Sequence, residues 1–129
     1  MADMEKLYAI TRGLSRRFPE GNDPFQMMTR LLEESGELAQ MVNHFEGTGI
    51  KREKYGTPDK AKLAKEVMDL LRCSLQIAIY YGIEDDLENK INESYEKMQN
   101  EGLIRDLGVH THPQREYNDC RPAHRLAFL

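Results

Sequence analysis

No run of apolar residues in this 129-residue chain approaches the roughly 20 needed to cross a bilayer. The first residues, MADMEKLYAITRGL, lack the apolar centre of a signal peptide. There are only two cysteines: Cys73 falls inside an apolar helical pattern and Cys120 in a polar stretch, so a structural disulfide between them is not expected. Together these absences lead to the expectation of a cytoplasmic protein with no membrane association. An excess of basic charge is missing too. The 18 Lys and Arg stand against 22 Asp and Glu, a formal charge of -4, which offers no general attraction to nucleic acid or anionic lipid. Stable nucleic-acid binding is therefore not expected, and an acidic chain that handles phosphates needs a metal or local cations. Finally, there is no strand-like alternation, internal repeat or low-complexity tract, which leaves an all-α, four-helix-bundle-like fold.

Helical spacing accounts for most of the chain. Leu7, Ile10, Leu14 and Phe18 mark a first helix that Pro19 ends. Asp23 as N-cap and Pro24 at the first helical position begin a long second helix, which Gly47 and Gly49 stop. The stretch GTGIKREKYGTP, with three glycines and mixed charge, reads as a surface connection. Thr57 or Asp59 caps a third helix that ends at Gly82, and a fourth runs from about 84 to 100, with Gly102 after it. Residues 1–102 form the expected domain. Residues 103–129 show no sustained period and are expected to be an extended or partner-docked tail.

The acids occupy unexpected positions on these helices. At about 100° per residue, Glu34 falls inside the stripe of Met27, Leu31, Leu38, Met41 and Phe45, and Glu37 lies on its edge. Glu33 and His44 border the polar side. On the third helix Glu66 and Asp69 share a face with Leu63, Leu70, Cys73 and Ile77, while Lys65, Arg72 and Gln76 are expected on the opposite, polar side. Val67, Met68, Leu71, Leu75 and Ile79 add a second apolar face, so this helix is expected to be central or to lie at a subunit interface. An ionised carboxylate turned inward without a partner costs several kcal/mol, and two helices that both do so call for a cation between them. Oxygen ligands without sulfur or obligatory imidazole select Mg²⁺, or Mn²⁺, over zinc. The plainer reading is that Glu33, Glu34 and Glu37 form a solvated acidic patch salt-bridged to Arg30, Lys65 or Arg72. That both acid pairs fall on apolar stripes weighs against it.

The texts EESGE at 33–37 and EVMD at 66–69 are similar to the EExxE and ExxD motifs of MazG-like nucleotide pyrophosphohydrolases, and the resemblance extends over about residues 25–100. It implies an all-α NTP pyrophosphatase fold, assembly as a homodimer or homotetramer, and Mg²⁺-dependent cleavage of a nucleoside triphosphate between its α and β phosphates. It also implies roles for individual residues. Glu34, Glu37, Glu66 and Asp69 look like metal ligands, and Glu33 like the group that orients or deprotonates the attacking water. Asn43 and His44, with Phe45, resemble residues around the base and sugar; Lys97, with Lys90 as substitute, resembles a phosphate-binding lysine. The match departs after Lys97, where the family often has an Arg-Asp pair and this chain reads MQNEG. Lys51, Arg52, Lys54, Arg12 or Arg16 are the substitute phosphate contacts.

Two other function classes fit less well. A di-iron or di-manganese carboxylate bundle needs Glu-x-x-His on two helices, and no Glu here has His three residues later. A non-catalytic regulator with the same fold would bind a nucleotide without cleaving it. His110, His112, Cys120 and His124 are zinc-type ligands without a zinc-site spacing, and Cys73 reads as a packed small residue.

Overall fold

The computed structural model describes residues 2–47 and 51–104, with side chains omitted at 51 and 52. These residues form five helices and no strand: α1 (Asp3–Arg17), α2 (Pro24–Glu46), α3 (Lys51–Tyr55), α4 (Lys60–Tyr81) and α5 (Glu84–Asn100). The chain divides into two compact units, Met1–Ile91 and Asn92–Leu129, with the division inside α5. None of the described helices is long and apolar enough to cross a membrane. Cys120, the three tail histidines and the last apolar residues lie outside the described residues.

Local chemistry sets the helix ends. The Asp23 carboxylate accepts hydrogen bonds from the N–H groups of Phe25 and Gln26 at 2.9 and 3.0 Å, satisfying two of the donors that a helix start leaves open. Pro24 follows at the position where a missing N–H costs nothing. Gly47 ends α2 in the left-handed conformation, φ 68°, which a residue with a Cβ adopts only at a cost. Of the two candidate caps for α4, Asp59 is the one used, accepting from Ala61 N–H at 2.8 Å. Gly82, at φ 64°, closes α4. The connection from 47 to 59 is not wholly irregular, since Lys51–Tyr55 closes a short helical turn within it.

Within the first unit α4 is central: α1 and α2 both pack on it, and α3 packs on α2. Hydrogen bonds join Arg30 to Gln76, and His44 near the other end of α2 reaches Gly56 just before α4, so α2 and α4 run antiparallel. Among the described residues, Met27, Phe45, Cys73, Leu75 and Ala78 are the buried apolar ones. A fully buried Leu or Phe contributes about 1.5–3 kcal/mol, so so short a core stabilises this unit modestly. The second apolar face expected on α4 is divided. Leu75 is buried and Ile79 half-buried, whereas Val67, Met68 and Leu71 are exposed, as are Phe25, Met28, Leu32 and Val42 on α2.

Gln76 departs from expectation. It is buried, not on a polar outer side, because α1 and the 18–22 turn close over that flank of α4. Its amide is satisfied there: Oε1 accepts from Arg30 Nη2 at 3.1 Å, and Nε2 donates to Asn22 Oδ1 at 3.0 Å and Ser15 Oγ at 3.3 Å. Asn22 Nδ2 in turn donates to the carbonyls of Phe18 and Pro19 at 3.0 and 3.1 Å. A buried amide is tolerable only with such partners. Here they fix the turn after α1 against both longer helices.

Candidate metal centre

The antiparallel α2–α4 pair brings three carboxylates together. One oxygen from each of Glu34, Glu37 and Glu66 lies within 4.8 Å of the other two. Glu34 and Glu66 are half-buried and Glu37 is exposed, so the cluster opens to solvent on the Glu37 side. Two of its oxygens, Glu34 Oε2 and Glu66 Oε2, are shielded from solvent and accept no hydrogen bond from any described residue. Burial raises the Glu34 pKa above its ordinary value. The negative charges of Asp69, Glu37 and Glu66 push it further, and the Arg72 guanidinium opposes the rise.

Asp69 sits at the same place in the fold but in a different electrostatic state. Lys65 Nζ donates to its Oδ2 at 2.6 Å and lies 3.6 Å from Glu66 Oε1. Arg72 Nε lies 3.7 Å from Asp69 Oδ1, an ionic contact too long for a hydrogen bond, and that Nε has no hydrogen-bond partner among the described residues. Lys65 and Arg72 therefore do not occupy the side of α4 opposite the acids. Their i, i+4 and i, i+3 spacing from Asp69 brings both side chains onto it, and the proximity of Asp69 raises the Lys65 pKa through its hydrogen bond and its charge. The plainer sequence reading paired Glu33, Glu34 and Glu37 with Arg30, Lys65 or Arg72; Lys65 and Arg72 instead face Asp69. For Glu34 and Glu37 no described residue supplies such a pair.

The donor set suits a hard divalent cation. Oxygens on opposite sides of a magnesium ion are about 4.2 Å apart, so a triad within 4.8 Å needs only a small adjustment of side chains. Asp69, the fourth acid expected as a ligand, is not part of the converging triad. Glu33, one position before Glu34, is exposed.

A cavity of about 350 Å³ lies about one helical turn from the cluster along α2 and α4, lined by Gln40, Met41, His44, Tyr55, Thr57, Asp59 and Lys62. Gln40 and Met41 follow Glu37 by three and four positions on α2, and Lys62 precedes Glu66 by four on α4, rises of about 4.5 to 6 Å. His44 Nε2 lies 2.8 Å from the Gly56 carbonyl oxygen. A carbonyl only accepts, so Nε2 carries the proton. The His44 ring also meets Tyr55 edge-on, with centroids 6.2 Å apart, and Lys54 Nζ stands 5.1 Å from the centre of the Tyr55 ring.

His44 thus lines the cavity, whereas Asn43 is exposed on α2 and Phe45 belongs to the core. Lys90 is exposed on α5 and lines neither the cluster nor the cavity; Lys97 belongs to the second unit, where it falls in the last turn of α5. Among the substitutes, Arg12 is engaged with Glu84 at 3.1 Å and with the Tyr8 ring, and Arg16 is exposed. The side chains of Lys51 and Arg52 lie outside the described residues. Cys73 is free and buried, and burial pushes its thiol pKa up, as a packed residue requires. Sequence reasoning named Lys65 and Arg72 only as partners for Glu33, Glu34 and Glu37, not for Asp69, and it missed Tyr55 and Asp59 as neighbours of the site. The Lys65–Asp69 and Asp69–Arg72 spacings carried a signal for the first two; nothing in the periodicity marked the others. Comparison with family models, curated proteins and solved structures finds no match for this chain.

Proposed function

We propose that the chain is a Mg²⁺-dependent nucleoside triphosphate pyrophosphohydrolase with the all-α NTP pyrophosphatase fold, releasing a nucleoside monophosphate and pyrophosphate in the cytoplasm. The observation that carries this reading is the convergence of Glu34, Glu37 and Glu66, with two shielded oxygens that no described donor satisfies. Converging negative charge, unpaired by any described residue on Glu34 and Glu37 and met on Glu66 only by the exposed Lys65, is what a hard cation stabilises. The resemblance of EESGE and EVMD to the family motifs adds the reaction.

Bound there, Mg²⁺ or Mn²⁺ would neutralise phosphate oxygens and acidify water. Glu34, Glu37 and Glu66 would hold it, and Asp69 completes the set when freed from its cations. Glu33 is exposed beside the ligands, where it can take a proton from water. The cavity lies within the range of small-molecule sites, roughly 300–1,000 Å³, and the base and sugar would enter it beside His44 and Tyr55. Phosphate transfer asks mainly for positioning and charge neutralisation, so little further machinery is required.

The exposed apolar residues of α2 and α4 are consistent with the self-association that this reading implies. Phe25, Met28, Leu32 and Val42 share one face of α2, and Val67 and Leu71 one face of α4. In an antiparallel pair, residues displaced in the same rotational sense from the line of mutual contact lie on the same side, so the two stripes adjoin. With Phe25 85% and Leu32 67% exposed, this is a surface that a second copy would cover. Light scattering should give a dimer or tetramer for the wild type and a smaller species for Leu32→Lys.

The second reading, a regulator that binds nucleotide without cleaving it, draws support from Asp69, whose two oxygens are already engaged by Lys65 and Arg72. A panel of NTPs and dNTPs with Mg²⁺, assayed for pyrophosphate, separates the two. Turnover of at least one nucleotide supports the enzyme; saturable binding of one without any turnover supports the regulator.

A further inference from the structure

The four acids divide unequally between protein cations and solvent. Three glutamates converge with two unpartnered oxygens, whereas Asp69 holds Lys65 on one oxygen and faces Arg72 with the other. The two cations differ in how readily they can leave. The Arg72 side chain is only 16% exposed and enclosed beside Asp69, so its charge is a fixed part of the site. The Lys65 side chain is 60% exposed and reaches Asp69 and Glu66 from the solvent side. An exposed lysine bridging two carboxylates is held weakly and exchanges with water at little cost.

On the reading of the cluster as a divalent-cation site, we infer that Lys65 is a resident counter-ion that withholds Asp69, and in part Glu66, from the metal, so that full ligation is coupled to its release. Lys65 sets the metal affinity of the site and the order in which its ligands engage. Glu34, Glu37 and the unpartnered Oε2 of Glu66 are available at once; Asp69 joins only when the ammonium group moves away. Lys65 is a positioning residue here, acting through Asp69 and not on substrate. The competition also lowers the cost of four acids standing together before a cation arrives, since one of them is paired throughout.

The test is a double-mutant cycle on Mn²⁺ binding, read by the free-ion electron paramagnetic resonance signal with the metal alone and no nucleotide. Lys65→Met should tighten Mn²⁺ binding about two- to fivefold in the wild-type background. In the Asp69→Asn background the same substitution should act by a smaller factor, that of one lost charge felt through space. Should Asp69→Asn bind Mn²⁺ too weakly to measure, amine labelling of the intact protein decides: Lys65 should label faster with Mn²⁺ than without, while Lys60, at the start of α4, should not change. Equal factors in the two backgrounds, or Lys65 labelling that Mn²⁺ leaves unchanged, would overturn the counter-ion role while the metal site stands. Absence of Mn²⁺ binding by every variant, wild type included, would overturn the metal site and the counter-ion role together.

Discussion

Glu34→Gln should stabilise the metal-free protein and weaken its response to magnesium, an inversion that few other substitutions would produce. Glu34 Oε2 is shielded and unpartnered, and the carboxyl has a raised pKa, caused first by burial and then by the charges of Asp69 and Glu37. Leaving a buried polar group unsatisfied costs about 1–3 kcal/mol, and the open Glu37 side of the cluster screens part of the charge, so about 1 kcal/mol is the expected gain. A glutamine of the same shape removes the charge, and its amide can donate to Glu37 or Glu66. For a chain of this size the gain corresponds to roughly 4 °C in Tm. The sign with pH follows from the raised value. The folded protein binds this proton more tightly than the unfolded chain, so the contribution is fully present below the ordinary carboxylate pKa and is lost as pH rises through the elevated one. In EDTA, wild-type Tm should therefore fall across that window relative to Glu34→Gln. Saturating Mg²⁺ should reverse the order, because a ligand at 100 times its Kd adds about 2.7 kcal/mol to a protein that binds it. Thermal unfolding by circular dichroism with EDTA or Mg²⁺ reads all of this. A variant less stable than wild type in EDTA, or gaining as much from Mg²⁺, would refute the reasoning.

Other outcomes follow from the same structure. Gln76→Ala leaves Arg30 Nη2 and Asn22 Oδ1 with only their own long 3.4 Å hydrogen bond in a part-buried network and should cost about 1–3 kcal/mol in urea unfolding; a change under 0.5 kcal/mol would show that water or the Arg30–Asn22 pair replaces the amide. Gly82→Ala places a Cβ at φ 64° in open space, so the loss should be backbone strain alone, about 1–2 kcal/mol, with unchanged Mg²⁺ binding. Asp59→Ala removes the α4 cap and should cost about 1 kcal/mol, measurable by the same unfolding assay.

Much of the fold was legible because the signals were local. Asp23, Pro24, Gly47 and Gly82 act through their own backbone geometry, and the helix ends they predict are those observed. The inward turn of Glu34 and Glu66 was legible from the wheel as well, since rotation about a helix axis depends only on position in the chain. What failed was the inference from wheel angle to surroundings. Gln76 is polar by type but is covered by α1, which no periodicity within α4 reports. Lys65 and Arg72 were assigned by the direction of their Cα–Cβ bonds, yet both side chains are long enough to curl onto Asp69. The cavity draws Tyr55, Thr57 and Asp59 from a connection whose course depends on packing against α2. Its single helical turn, Lys51–Tyr55, was not foreseen because five residues carry too little pattern to register.

The most direct test of the account is pyrophosphate release from a panel of nucleoside and deoxynucleoside triphosphates in the presence of Mg²⁺, for wild type and Glu37→Gln side by side. At least one nucleotide should be cleaved to its monophosphate and pyrophosphate by the wild type, with EDTA or Glu37→Gln abolishing the reaction. Hydrolysis that persists in Glu37→Gln, or no cleavage of any nucleotide by a folded, Mg²⁺-loaded wild type, would contradict the account.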